Sequence, residues 1–350
     1  MIAGLALSST GQHELAIAET EKAIALDPDQ NPTYASKAFN QLMLNRLDDA
    51  LLTARLAAER KMESENLFQI RYLVAFLTGN ENELRRIATA ARKSPATEES
   101  ISHVEALALA RSGQLQEARR MAAVAVQIAQ KSGRRERAGL FEAATAVWEA
   151  FSGNAAAARQ SAARALELGR GGREVDYAAA FALALVGDLP QSRALAEVLA
   201  REFPEDTAVQ FMYLPTLRAL FSLNTPTPDA TAAIQALQTA SRYDLALGRI
   251  GFVGRFGGLY PIYVRGLAYL AARQPAEAAA EFRRILDHRS IVLVDPMDAM
   301  ARLQLARALA LAGETTKAKT AYDDLLTLWK NADPKIPVVE AARAESARLP

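Results

Sequence analysis

The sequence predicts an all-α fold: a solenoid of antiparallel helix pairs, about nine of them, closed by one more helix at the carboxy end. Three observations carry this. Glycines recur at a step of 34 residues. Small residues recur at fixed offsets from those glycines. Each interval between them reads as two amphipathic helices with a tight turn. The 350 residues are half apolar, as in an ordinary folded protein, and long enough for one extended solenoid or two to three globular domains.

The turns come first. Gly11, Gly79 and Gly113 lie 68 and 34 residues apart, and Asn45 stands at the missing midpoint. After glycine, asparagine best tolerates a left-handed backbone. An insertion of six residues around 131–139 delays the next turn, after which Gly153 and Gly187 resume the step and Gly313 repeats it near the end. Five residues after a turn stands a small side chain: Ala16, Ala50, Ala118, Ala158, Ser192 or Ala318. Seven residues further on stands Ala23, Ala57, Ala91, Ala125 or Ala165. Two helices approach closely only where side chains are small, so Ala38 and Ala50 should meet inside one unit and Ala57 should face the next. No pair buries its apolar stripe alone, and neighbours must stack to close a core.

The chain divides at the sequence level into three parts. Residues 1–206 hold about six repeats, the first with a shortened opening helix that leaves it uncapped or marks a piece of a longer polypeptide. Residues 207–258 are irregular. There Pro215 interrupts QFMYLPTLRALF and should bend or split its helix, and Pro228 with Asp229 starts a helix after NTPTPD. The stretch then crowds Gly248, Gly251, Gly254, Gly257 and Gly258 into what reads as a long inter-repeat loop. No strand precedes these glycines and no Lys-Ser/Thr follows them, so a nucleotide loop is not indicated. An anion loop using Arg249 and Arg255 is the lesser alternative. Residues 259–350 hold two repeats and a capping helix at about 338–348.

The pattern resembles the tetratricopeptide repeat, in which an aromatic, a leucine-glycine pair and two alanines recur within 34 residues. Tyr34, Ala38, Ala50 and Ala57 take its places in the second unit. Ile262, Gly266, Tyr269, Ala278 and Phe282 take them in the eighth, where Arg265 departs from the leucine. Leu305, Ala306, Leu309, Gly313, Ala318 and Tyr322 take them in the ninth. The resemblance implies a right-handed superhelix whose first helices line a concave face. Within 207–349, LPTLRAL, YDLALG and LYPIYVRGLAYLAARQPAEAAAEFRRILDHRS are similar to the tail of a set of bacterial, chiefly acidobacterial, repeat proteins. In those proteins it commonly follows a serine/threonine kinase or winged-helix domain. Neither domain is present, and no HRD, DFG or V-A-I-K segment occurs, so the resemblance implies a regulatory module and carries no kinase activity.

Inner positions two, five, nine and twelve of each unit are largely apolar or aromatic. Phe39, Gln69, Phe76, His103, Tyr177, Phe181 and Tyr263 are the candidate groove contacts. Chaperone-tail binders of this repeat class place Lys and Asn at positions five and nine. Here those places hold Ala35 and Phe39, Gln69 and Leu73, His103 and Leu107, so that clamp is missing. An apolar groove instead suits a helical or extended apolar segment held by aromatic anchors; if neighbouring helices cover Phe39, Phe76, Tyr177 and Phe181, these are core residues instead.

Chemistry is excluded more firmly than binding is defined. There is no Cys, and His13, His103 and His288 fall in three distant units with no partner at the spacing of a metal pair. Adjacent acids such as Asp48–Asp49 and Glu98–Glu99 point about 100° apart on a helix and do not converge. No catalytic, metal or cofactor-binding residue is assigned. Forty-one basic against 40 acidic residues, with one aromatic-free basic run at 131–139, argue against nucleic acid. The longest apolar run, at 178–186, is half a membrane span, and the opening MIAGLALSST lacks a signal-peptide pattern. The expectation is a cytoplasmic, non-catalytic scaffold for a protein or peptide partner in a bacterial signalling or transcriptional system. The alternative is a repeat domain that senses a peptide or small effector.

Overall fold

A computed structural model describes residues 2–246 and 256–349. Among these there is no strand, and the helices pair nine times. Six regular pairs come first: α1 (Ile2–Ser9) with α2 (His13–Leu26), α3 (Asn31–Met43) with α4 (Leu47–Glu59), α5 (Glu65–Leu77) with α6 (Glu81–Ala91), α7 (Pro95–Arg111) with α8 (Leu115–Lys131), α9 (Arg135–Phe151) with α10 (Ala155–Gly169), and α11 (Arg173–Leu185) with α12 (Leu189–Glu202). The seventh joins α13 (Leu214–Leu223) to α14 (Ala230–Leu237). The eighth is α15 (Leu259–Ala271) with α16 (Pro275–Asp287). A four-residue helix, α17 (Arg289–Val292), precedes the ninth pair, α18 (Met297–Leu311) with α19 (Thr315–Leu328), and α20 (Pro337–Ala347) follows. The described residues form an all-α solenoid of helix pairs that resembles tetratricopeptide repeats.

One turn, used repeatedly, sets the register. At Gly113 the backbone is left-handed, with φ at 76°. Its N–H donates to the Ala110 carbonyl at 3.0 Å, and the Gln114 N–H donates to the Leu109 carbonyl at 2.9 Å. This pair of bonds uses the orphan carbonyls at a helix end and needs a residue that accepts positive φ. The same pair of bonds recurs at Gly11, Gly79, Gly153, Gly187 and Gly313, and at Asn45 with φ 59°. In the eighth unit Arg273 takes the place without glycine, at φ 56°.

Where paired helices cross, the small residues are enclosed. Ala50, Ala118, Ala158, Ala278 and Ala318 have no exposed surface, nor do Ala16, Ala57 and Ala165; Ala23, in the first unit, is half-buried. Ser192 substitutes for alanine by donating its hydroxyl to the Ala180 carbonyl at 2.7 Å. At Gly266 a Cβ would stand 2.5 Å from the Phe282 ring, so the glycine is a packing requirement. Gly139 and Gly169, which the repeat pattern does not mark, bring α9 and α10 together, since a Cβ on Gly139 would be 2.9 Å from the Ala165 carbonyl.

The irregular unit follows from Pro215. A proline cannot donate to the carbonyl four residues back, and the chain widens there into a π-helical turn, Val209–Tyr213, before α13 begins. Asp229 caps α14 as expected, accepting from the Ala232 N–H at 2.9 Å. Gly248, Gly251 and Gly254, with Arg249 and Arg255, lie outside the described residues. Gly258 is described: its N–H donates to the Ala246 carbonyl at 2.8 Å, in an approach that leaves no room for a Cβ.

The final third of the chain returns across the earlier units, which no repeat pattern predicts. Ser290 donates its hydroxyl to the Met43 carbonyl at 2.9 Å, and the Arg289 guanidinium donates to the Leu77 carbonyl. Trp329 donates its indole N–H to the Arg111 carbonyl at 3.1 Å. The backbone N–H of Asp333 donates to Gly113 at 2.9 Å, and that of Val338 to Ser152 at 3.3 Å. Met43, Leu77 and Arg111 are the last residues of α3, α5 and α7. The carbonyls at the ends of successive first helices lack intrahelical partners, and here distant donors satisfy them. One apolar core consequently runs from Tyr34 to Ala342.

Candidate functional site: a cleft on the inner face

The inner face is mostly covered by the chain itself. Phe39, Gln69, His103, Tyr177, Phe181 and Tyr263 are buried, and Phe76 is half-buried beneath the Arg111 guanidinium. By burial these side chains stand among packed neighbours, as core residues do, and not along an open groove. Gln69 bonds to the Ser100 hydroxyl. Tyr177 stacks on Tyr213 with ring centroids 3.8 Å apart, and Tyr260 packs edge-on to Phe181 at 4.9 Å. His103 lies 4.4 Å from the Phe141 ring, and burial reinforced by the nearby Arg137 charge pushes its pKa down to about 3. A neutral, enclosed imidazole does not carry protons near neutrality.

A stretch of inner face remains open over units five to nine. It forms a cleft of about 350 Å³ between the ends of α9, α11, α13, α15 and α18, with Val338 of α20 at one side. Phe151, Leu185, Leu223, Leu267 and Leu303 supply its apolar wall, and Gln304, Arg307 and Asn224 its polar groups. Tyr263 is the one candidate contact that reaches it. Burial pushes the Tyr263 hydroxyl up to about 12, with Gln304 beside it. Arg307 donates to both Glu345 oxygens at 2.9 and 2.7 Å, and Tyr322 donates to the same carboxylate at 2.8 Å. This clamp fixes Arg307 as part of the wall and holds the Glu345 carboxyl below the ordinary carboxylate range. The cleft offers shape and apolar surface, with paired or neutral polar groups and no nucleophile beside a base.

The other histidines are structural as well. His13 is buried with Nδ1 2.9 Å from the Asn40 side-chain oxygen, and His288 ends α16 with Nδ1 2.7 Å from the Arg284 carbonyl. Among the described residues no three His, Cys, Asp or Glu side chains could jointly hold a metal ion, and no helix is long and apolar enough to cross a membrane. Arg289, Ser290, Trp329, Asp333 and Val338 escape sequence reasoning, because their partners lie far along the chain and outside any periodic pattern.

No family model matches the chain, and no curated protein matches it in sequence. Solved helical structures resemble it distantly. Yeast Tom70 is 13% identical over 97% of this chain and 86% of that one, with a TM-score of 0.40. A monomeric mutant of IFIT1 with m7Gppp-AAAA is 14% identical over 91% and 72%, with a TM-score of 0.48. The TPR domain of P58(IPK) is 15% identical over 99% and 96%, with a TM-score of 0.27.

Proposed function

We propose that this chain is a non-catalytic interaction module that takes a short apolar segment of a protein partner, helical or extended, into the cleft over units five to nine. The observation that carries this is the half-buried row Leu185, Leu223 and Leu267 around an otherwise enclosed apolar wall. Such rows suit anchor side chains that are desolvated on binding. The resemblance of residues 207–349 to the tails of bacterial kinase-linked and winged-helix-linked proteins supports a regulatory or sensor role in a cytoplasmic signalling or transcriptional system. The second reading, a sensor for a peptide or small effector, draws on the cleft volume, which lies at the lower end of the roughly 300–1,000 Å³ typical of ligand pockets.

A photo-crosslinking side chain at position 267, installed in the full chain in cells, separates the two. A discrete protein adduct that disappears in Leu223→Glu supports the partner reading. A small-molecule adduct lost in the same variant supports the sensor reading. Absence of both overturns the cleft as the binding site.

A further inference from the structure

We propose that residues 289–296, RSIVLVDP, are a built-in occupant of the inner face over units two to five. By this reading they lie where a short aliphatic segment of a partner, led by a basic residue and a hydroxyl, docks by displacing them.

The segment is surplus to the repeat. From the turn at Arg273 to the turn at Gly313 the chain takes 40 residues, six more than the step, and the excess falls here. It forms only the single short turn of α17. Its four aliphatics, Ile291 to Val294, are buried and line one cavity together with Leu73, Val104, Leu107 and Trp148 of the inner face. Two donors anchor its leading end, Ser290 on the Met43 carbonyl and Arg289 on the Leu77 carbonyl. Helix ends present carbonyls at a partial negative charge, so a cation and a hydroxyl suit them.

The same segment fits under constraint. Leu293 stands at φ 53°, ψ −120°, the first central position of a tight turn closed by the Asp295 N–H on the Val292 carbonyl at 3.0 Å. That conformation favours glycine and strains a leucine. A cavity of about 50 Å³ remains between the segment and the wall. The tether forces the turn, because the chain must double back into α18. A free segment of like chemistry makes the same contacts without it. This inference rests on reading the chain as a binding module, but it concerns a different stretch of inner face from the cleft, so each can fail alone.

The test uses the full chain and a fluorescein-labelled peptide, RSIVLVDP, followed by anisotropy. Removing both anchors in Arg289→Ala/Ser290→Ala raises the open population, and apparent affinity rises in proportion. The double variant should bind about tenfold or more tightly than the wild type. A Leu107→Asp change added to it should abolish binding, while Leu267→Glu leaves binding unchanged. Equal affinity for both chains, or none for either with helical content intact, overturns the proposal. A second measurement avoids disturbing the anchors. The chain has no Cys, so in Val292→Cys thiol labelling reports this segment alone. Added unlabelled peptide should accelerate labelling about tenfold, and a scrambled peptide should not; an unchanged rate overturns displacement.

Discussion

At the scale of single residues, space and desolvation decide. Gly266 was legible in the sequence because the repeat pattern puts a small residue there, and the Phe282 ring explains why nothing larger fits. Gly266→Ala should destabilise the chain by about 2 kcal/mol, the cost of overpacking, read as a lower urea midpoint. Gly266→Ala combined with Phe282→Leu should recover part of that loss. The sequence marked His103 as a candidate groove contact, but its burial was not legible, because side chains that enclose it, such as Phe141, come from other units. Its folded pKa of about 3 lies below the unfolded value near 6.5. The unfolded chain therefore binds the proton first as pH falls, and stability is lost progressively from about pH 6.5 toward pH 3. This amounts to about 3 kcal/mol at pH 4.5. His103→Leu should lose about 3 kcal/mol less than the wild type between pH 7 and 4.5 in urea titrations. Equal losses would place the imidazole in a solvated site.

At the scale of elements, the helix pairs were legible and their fastenings were not. Asp333 shows why. Its backbone N–H binds the carbonyl of Gly113 at the end of α7, and its carboxylate accepts from the Gln116 N–H at 2.7 Å in the first turn of α8. Gln114, at the N-cap position of α8, makes no side-chain cap bond. A residue 217 positions away supplies the cap, and no local pattern could reveal it. Asp333→Ala should cost about 1 kcal/mol, as loss of an N-cap does. It should also speed hydrogen exchange at the amides of 115–118, which a change of general stability alone would not single out.

At the scale of the whole molecule, closure changes how the chain should unfold. An open solenoid is a sum of nearest-neighbour terms, so its ends fray and its units melt in sequence. Here units two to five are bonded to residues 289–338, which couples those early units to the carboxy end of the chain. Tryptophan fluorescence from Trp148 and Trp329 and helical circular dichroism should fall in one coincident urea transition. Ala118→Arg puts a long charged side chain into a fully enclosed helix crossing. It should shift both probes together by about 3 kcal/mol or more. If Trp329 unfolds separately in that variant, the early units and the carboxy end are not coupled.

By itself the sequence determined the helix pairs, their number and the turns between them. These depend on contacts a few residues apart, where a left-handed glycine or a small side chain leaves a periodic mark. It also marked candidate positions for an inward face. Only the tertiary structure decided whether that inward face is open. An inner-face aromatic looks the same in sequence whether it meets a partner or the chain's own residues 256–260 and 289–296. Covering it depends on donors and carbonyls up to 247 positions apart, and such pairings carry no period. The cleft over units five to nine is therefore a product of closure: it is the part of the inner face that the returning chain leaves uncovered.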